Sequence, residues 1–156
     1  MGLDLYCDDE HTRMGSYSYV HVQRKALLEA YILYLRESSP EGATEYDQAL
    51  LSVKNRRLAN NLETAICKDN EDNINYQVLG KLEEEMHPGI FAFVYHSDCD
   101  GVWSARDAEH ILTALHFLRP YFSRVPKLFQ ECENNAYYLE RILRISVAEG
   151  SEIRFC

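Results

Sequence analysis

The spacing of apolar and polar residues predicts a strand at the start of the chain and a long helix after it. Residues 3–7 alternate between apolar and polar side chains, which is the period of a strand with one buried face. Between residues 26 and 35 all residues except Glu29 are apolar or aromatic, so this stretch predicts a helix that is covered on nearly all sides. We expect this helix to begin at the N-cap Ser18, to end near Ser38 and to be the central helix.

Four more helices are predicted from start and stop signals along the chain. Thr44 and Asp47 have the pattern of a capping box at the start of one helix, and Ser104 and Asp107 repeat it at the start of another. A short helix between these two is predicted to end at His87, Pro88 and Gly89, and Pro120 predicts a kink or an end in the helix that Ser104 starts. The last helix is predicted to start at Pro126 and to stop at Gly150.

Two further strands complete the predicted sheet. Residues 90–95 are continuously apolar with β-branched and aromatic members, which predicts a central strand covered on both faces. Ile153 and Phe155 alternate with charged residues and predict a short edge strand. The fold class is therefore α/β, more strictly α+β, with a small mixed three-stranded sheet packed with about five helices in the order β-α-α-α-β-α-α-β.

The number of helices between the strands predicts which strand ends meet. If each helix reverses the chain, three helices make the strands at residues 3–7 and 90–95 parallel, and two helices make the third strand antiparallel to the second. Cys7 and His96 then lie at one edge of the sheet, and Cys156 lies at the other edge.

The charge of the chain narrows the range of partners. The 156 residues carry 16 Lys and Arg against 25 Asp and Glu, a formal net charge of -9, and this length is typical of a single domain, residues 1–156. Because nucleic acid is held through basic side chains, direct binding to nucleic acid is disfavoured. A small ligand or another protein is the expected partner, and an acidic protein that binds a basic target or mimics a nucleic acid is an open alternative.

Two features of the sequence predict an intracellular protein. No apolar run reaches the roughly 18 to 20 residues of a membrane span, and the N-terminus carries Asp4, Asp8 and Asp9 where a signal peptide has basic residues. The five cysteines are odd in number and scattered, unlike the disulfide framework of a small secreted domain. We therefore expect a cytoplasmic protein with reduced thiols and no membrane contact.

The loop after the predicted central strand has the residues best suited to bind a cation. Residues 96–101 read His-Ser-Asp-Cys-Asp-Gly, and ligands of open α/β sheets usually bind outside the carboxyl ends of the strands. His96, Asp98 and Asp100, followed by Gly101, have the spacing of a calcium-binding loop, in which alternating oxygen atoms surround a hard cation. These three residues are thus candidate ligands for calcium or magnesium, or for a small molecule.

A transition-metal site is a second interpretation of the same loop. Three residues separate Cys7 from His11, and two separate His96 from Cys99. On adjacent parallel strands these side chains would supply two thiolates and two imidazoles, the ligand set of tetrahedral zinc. The candidate metal ligands are Cys7, His11, His96 and Cys99, with Asp98 and Asp100 beside them.

The pattern Asp-x-Asp-Gly after an apolar stretch resembles the first motif of two families that process phosphate esters. In haloacid dehalogenase-like phosphatases the strand runs directly into Asp-x-Asp-Gly-Thr, whereas here two polar residues intervene and Val102 replaces the Thr. DHH-type phosphoesterases are more similar, because their motif has a His two residues before it, as His96 is here. That resemblance implies that Asp98 and Asp100 hold manganese and act as catalytic residues by activating a water molecule. No Asp-His-His triplet accompanies them.

A purely structural interpretation of the loop is also open. Asp98 and Asp100 can accept backbone N–H bonds in a turn that Gly101 completes, while Ser104 caps the helix that follows. In that case the loop only connects two elements.

Aromatic residues of the long first helix provide another candidate site. Tyrosines lie at positions 17, 19, 31 and 34. At helical spacing such residues either pack in the core or line a stacking pocket for a planar ligand.

The whole chain is similar to small uncharacterised proteins of bacteria, phages and other large viruses that open Met-Gly-Leu-Asp, carry Ser-Asp-Cys-(Asp or Glu)-Gly and end near Phe-Cys. Residues 1–4, 97–101 and 155–156 match that pattern. The resemblance implies a small intracellular accessory protein, in the host cytoplasm if the source is viral, and it carries over no activity. We therefore expect a non-enzymatic binding protein with a metal or ligand site at residues 96–101, with a divalent-metal-dependent phosphoesterase as the alternative.

Elemental analysis of the reduced, desalted protein tests the metal hypothesis. We expect near-stoichiometric zinc, manganese or calcium in the wild type and loss of the metal in the Asp98→Ala and Cys99→Ser variants, because each variant removes a candidate ligand. A metal-free wild-type protein with the same melting temperature as both variants would contradict the hypothesis.

Overall fold

The computed structural model describes residues 2–38, 44–66, 74–95, 101–129 and 133–155, without the side chains of residues 133–136. Within these ranges the chain forms a mixed α/β fold. The strands are β1 (Gly2–Cys7), β2 (Glu10–Ser16), β3 (Gly101–Trp103) and β4 (Ile153–Phe155). The helices are α1 (Tyr17–Glu37), α2 (Glu45–Ala65), α3 (Tyr76–Gly80), α4 (Pro88–Val94), α5 (Ala105–Leu118) and α6 (Glu133–Glu149), with a 3-10 helix over Arg119–Arg124.

The strands form one four-stranded antiparallel sheet in the order β2-β1-β4-β3. Phe155 of β4 pairs with Leu5 of β1 on one side and with Gly101 of β3 on the other. One face of the sheet is buried under α1, α5 and α6, and the other face exposes side chains such as Tyr6. The predicted α/β class is confirmed, whereas the predicted mixed three-stranded sheet is corrected to four antiparallel strands.

Residues 8–16, which lie between the strand predicted at residues 3–7 and the helix predicted to begin at Ser18, form a hairpin with β1. Cys7 pairs with Glu10, so Asp8 and Asp9 alone make the turn, and Asp8 has a φ of 52°. A positive φ is typical of tight two-residue hairpin turns, and aspartate tolerates it. The apolar pattern misses β2 because Met14 is the one buried residue of this strand.

Residues 90–95, predicted to be the central strand, belong instead to helix α4 and its C-cap. The side chain of His87 accepts a hydrogen bond from the amide of Gly89, and a proline occupies the first turn, which together start a helix. Ile90 and Phe93 are buried, whereas Phe91 is only partly buried, so burial follows helical spacing. A short helix inside the core has the same continuous apolar sequence as a buried strand.

The predicted strand-end arrangement is wrong because its second strand is a helix. Since β1 and β3 both pair antiparallel with β4, β1 and β3 run in the same direction, with Leu5 and Gly101 at the same level. Cys7 lies two residues farther along β1. The prediction that Cys7 and His96 lie at one edge of the sheet and Cys156 at the other depended on a strand at residues 90–95, and that strand is a helix. His96 and Cys156 lie outside the described residues.

Helix α1 is the central helix, as predicted. Ten of its 21 residues are buried, so most of its circumference contributes to the core. Its N-cap is Ser16 and not Ser18, because the Ser16 hydroxyl accepts a hydrogen bond from the backbone N of Tyr19 at 3.2 Å.

The segment before α6 is held against α1 by a buried amide. The Nε2 atom of Gln23 donates to the Lys127 carbonyl oxygen at 2.9 Å, and its Oε1 atom accepts from the backbone N of Phe129 at 2.7 Å. Phe129 has a φ of 57°, so the chain turns here. Pro126 therefore does not start the last helix, which the structure describes over Glu133–Glu149.

Three other helix ends agree with their signals, and one does not. Thr44 caps α2 and Ser104 caps α5 through side-chain oxygens that accept backbone hydrogen bonds. Gly150 ends α6 with a φ of 65°. The third helix stops at Gly80, before its predicted end at His87.

None of the helices in the described ranges combines the length and the apolar character that crossing a membrane requires.

Helices α4 and α5 approach each other closely at Gly89. A Cβ atom at Gly89 would lie 2.1 Å from the carbonyl oxygen of His110, so only a residue without a side chain lets the two backbones meet. Trp103 adds a second attachment, because its Nε1 atom donates to the Ala92 carbonyl oxygen at 3.0 Å and its ring stacks on Phe93. Helix α4 is thereby fixed between α5 and the sheet.

We expect Gly89→Ala to destabilise the fold. The added methyl group would force α4 away from α5, and overpacking of this kind typically costs about 1–3 kcal/mol. Gly80→Ala is the matched control, since the atoms nearest to its Cβ belong to the Tyr95 side chain, at 3.2 Å and beyond. Chemical denaturation should show the loss in Gly89→Ala alone, and equal stability of the two variants would contradict the close approach.

Candidate functional site

The structure describes two of the six residues predicted as a metal or ligand site. The other four, His96, Asp98, Cys99 and Asp100, lie outside the described residues. The calcium, zinc and manganese hypotheses for this loop, and the catalytic role of Asp98 and Asp100, stay predictions.

Cys7 and His11 lie on opposite faces of the β1–β2 hairpin. Cys7 is 1% exposed, and its sulfur lies 3.9 Å from the carbonyl oxygen of Ser151. His11 is exposed on the outer face, where it stacks on Tyr6 at 4.6 Å between ring centroids and its Nε2 lies 3.4 Å from Asp4 Oδ1. The structure therefore does not bring Cys7 and His11 together as ligands of one ion. Across the described residues, no group of three or more His, Cys, Asp or Glu could hold a metal ion.

The thiol of Cys7 is buried in the core and favours its protonated form. Burial raises its pKa, and the charges of Asp8 and Glu149 raise it further, against an opposing hydrogen bond with Ser146. The thiol therefore stays protonated at neutral pH in the absence of a bound metal, and a protonated thiol is a poor nucleophile.

A pocket with aromatic walls lies among α1, α2, α5 and the turn before α4. Its volume is about 410 Å³, which is within the usual range of small-molecule sites. Tyr34 of α1 and Phe117 of α5 form adjacent walls, with ring centroids 4.6 Å apart and an interplanar angle of 37°. Tyr31, Leu35 and Met86 add to the lining. The pocket thus offers flat aromatic surfaces on a mostly apolar base.

His87 is held in one orientation at this pocket. Its Nδ1 atom accepts from the Gly89 amide at 3.1 Å, and its own backbone N donates to the Tyr31 hydroxyl at 3.0 Å. The ring packs edge-on against Phe117 at 5.0 Å between centroids. Because Nδ1 is an acceptor, the neutral ring carries its proton on Nε2. His87 therefore presents a single N–H donor.

Burial determines the protonation of both polar rings. Desolvation lowers the pKa of His87, and His110, 6.3 Å away between ring centroids, lowers it further. Burial raises the pKa of Tyr31, and Tyr34 adds to this effect while the bond from the His87 backbone opposes it. At neutral pH the imidazole is therefore uncharged and the phenol is protonated, so both can donate hydrogen bonds.

The rim of the pocket adds an acceptor and an amide. Glu85 is exposed and Asn55 is partly buried, and both line the opening. Among the described lining residues there is no Lys or Arg. The pocket therefore favours a neutral or cationic ligand with hydrogen-bond acceptors over a ligand that carries phosphate.

The pocket contains some residues that the sequence indicates and some that it does not. Of the four tyrosines considered for a stacking site, Tyr31 and Tyr34 line this pocket. Tyr17 and Tyr19 lie at the other end of α1, where Tyr19 is close to the backbone of Gly15. His87 is missed because His-Pro-Gly is typical of a helix end. A polar residue before a proline also fits an N-cap, and that signal could have placed His87 at a helix start.

Comparison of the chain with protein-family models, with curated proteins and with solved structures finds no match in any of the three. The geometry of the pocket is therefore the basis for assigning a function.

We expect acidification to weaken the fold through the titration of His87. Because its pKa is lower in the folded protein, the unfolded chain binds the proton more readily. The stabilising contribution is complete above the unfolded pKa of about 6.5 and is lost as the pH falls through the folded pKa. His87→Asn removes the titrating ring but keeps an acceptor that can cap α4.

Thermal unfolding at about pH 7.5 and at about pH 5 measures this difference. The melting temperature should fall less on acidification in His87→Asn than in the wild type. His116→Asn, which removes an exposed imidazole of α5, controls for the loss of a histidine. An equal fall in the wild type and in His87→Asn would contradict the role of His87.

Proposed function

We propose that the protein binds a small planar organic molecule in the pocket of Tyr31, Tyr34, His87 and Phe117, as a binding protein without catalysis of its own. The observation that carries the proposal is that aromatic walls and two side chains with a proton to donate, His87 and Tyr31, line one volume of about 410 Å³. Such a pocket holds a flat ring by stacking and orients it by hydrogen bonds.

The polar groups define the class of ligand. The Nε2–H of His87 and the hydroxyl proton of Tyr31 need acceptors, such as a ring nitrogen or a carbonyl oxygen. At the rim, the carboxylate of Glu85 can accept from an N–H group or face a positive charge. A nitrogen heterocycle with an acceptor nitrogen and an N–H group meets these requirements.

The alternatives depend on other parts of the chain. A divalent-metal-dependent phosphoesterase relies on Asp98 and Asp100, and the metal or ligand site at residues 96–101 remains a separate proposal that metal analysis tests. An acidic interaction protein relies on the net charge of -9. A phosphate ester finds no cationic partner among the described residues of the pocket, so the pocket supports a heterocycle more than a phosphate-bearing substrate.

We also propose that the protein works in the cytoplasm. Cys7 is a free, buried thiol, and free thiols persist in reducing compartments. A small accessory protein that binds a metabolite-sized ligand suits this location.

Benzimidazole, titrated into the full chain and followed by NMR, tests the ligand class. We expect the ring signals of His87 to shift, with a dissociation constant on the order of 1 mM or tighter for a ligand of this size. Tyr34→Leu and Phe117→Leu should each weaken binding about threefold to tenfold, because one aromatic contact contributes about 0.5–1.5 kcal/mol.

Two controls make this test specific. Tyr137→Leu removes a tyrosine of α6 that is 63% exposed and lies outside the pocket, and it should leave binding unchanged. Cyclohexanol, which is not planar, should bind more weakly than benzimidazole. The proposal would be overturned if benzimidazole caused no shift of His87 at about 10 mM, or if both wall variants bound it as well as the wild type.

A further inference from the structure

Helix α2 is buried along its second half only. Its buried side chains are those of Leu58, Ala59, Leu62 and Ala65. Residues 45–57, about three and a half turns, contain no buried side chain. Leu51 and Asn55 of this segment touch the ligand pocket, Gln48 is partly buried, and the other side chains of the segment are exposed. The first half of α2 is therefore a surface helix with most of its faces available.

An apolar stripe runs along the outward face of this segment. Tyr46 is 76% exposed, Leu50 is 47% exposed and Val53 is 52% exposed. Their spacing of four and three residues aligns them on one face. At about 100° per residue, this face lies on the side of the helix away from Leu58 and Leu62. We call these three residues the outward stripe.

The charges beside the outward stripe change sign along the helix. Glu45 and Asp47 precede Leu50, and Lys54, Arg56 and Arg57 follow it. Arg57 is exposed and continues the line of the stripe four residues after Val53. Helical spacing places Glu45 and Arg56 along one side of the stripe, and Asp47 and Lys54 along the other. Within the described part of the chain, neither Lys54 nor Arg56 forms an ion pair. Both cations are thus available to a carboxylate of another molecule.

We propose that the outward stripe pairs with the outward stripe of a second copy of this chain, antiparallel about a two-fold axis near Leu50. Leu50 then meets its counterpart, and Tyr46 of one copy lies over Val53 of the other. Glu45 faces Arg56 of the other copy, and Asp47 faces Lys54. By symmetry each contact occurs twice.

The order of the charges along the helix favours a second copy of this chain as the partner and an antiparallel orientation of the two helices. A two-fold interface requires a patch that is complementary to itself, and a helix with acidic residues at one end and basic residues at the other is complementary to its own reversed copy. A parallel pair would place like charges side by side. The net charge of -9 repels a second copy at long range, so pairing needs local attraction of this kind.

The small size of the contact sets the expected affinity. One pair of short helices buries less than the roughly 1,200 Å² of total surface that stable complexes need. We therefore expect a weak, concentration-dependent dimer with a dissociation constant on the order of 10–100 μM.

Sedimentation velocity of the full chain tests the pairing. Between about 5 μM and about 1 mM, the weight-average mass should rise from the monomer value of 18.2 kDa toward twice that value. Val53→Glu should weaken association more than tenfold and leave the melting temperature of the dilute protein unchanged, because Val53 is exposed in the monomer. Val147→Glu is the control, since Val147 is a 39% exposed valine on helix α6 and its substitution should leave association unchanged.

Exchange of charges tests the antiparallel orientation. Arg56→Glu alone places a carboxylate opposite Glu45 of the other copy and should weaken the dimer, and Glu45→Lys alone should do the same. The two substitutions in one chain exchange the charges and should restore association. The proposal is overturned by a mass of 18.2 kDa at every concentration, by a dimer that Val53→Glu leaves intact, or by failure of the double variant to restore association.

Discussion

Gly89 fixes the position of helix α4 in two ways: its amide donates a hydrogen bond at the start of the helix, and the absence of a side chain lets the helix pack closely on α5. The amide donates to Nδ1 of His87 and so starts the helix, and the position of a Cβ atom is taken by the backbone of His110. The first contact makes a helix where the continuous apolar sequence indicates a strand. The second lets that helix lie directly on α5. Because α4 fills this part of the core, the sheet is completed by β3, from the segment that follows.

The pocket lined by Tyr31, Tyr34, His87 and Phe117 is a consequence of the same packing. The backbone N of His87 is bonded to the Tyr31 hydroxyl of the central helix, and its ring rests against Phe117 of α5. Both donors are thus positioned by three packed helices, which restrict their movement. Their burial also keeps His87 neutral and Tyr31 protonated. The packing of the core therefore determines both the position and the hydrogen-bonding character of the polar groups.

Local signals explain how much of the fold could be predicted. Thr44, Ser104 and Gly150 mark helix ends through contacts within a few residues, and these ends are confirmed. Whether residues 90–95 form a helix or a strand depends on their contacts with α5 and Trp103. These contacts come from residues farther along the chain, so the apolar run alone does not predict them. For the candidate site, the helical spacing of the tyrosines left core packing and a stacking pocket both open, and Tyr31 is a core residue that also lines the pocket. The sequence does not predict that Phe117 is a wall of the pocket, because Phe117 reaches Tyr34 only through the packing of α5 on α1.

Helix α2 shows a different limit of the apolar pattern, because it has apolar residues on two faces. Leu51 continues the stripe of Leu58 and Leu62 in the sequence, yet it is 38% exposed and lines the aromatic pocket. A separate helix as short as residues 45–57 is only marginally stable in water, so this segment depends on its Thr44 cap and on continuity with the buried half. Leu50 and Val53 add little to that stability, since about half of each side chain remains exposed. Burial against another surface is the physical role that these side chains can still fill.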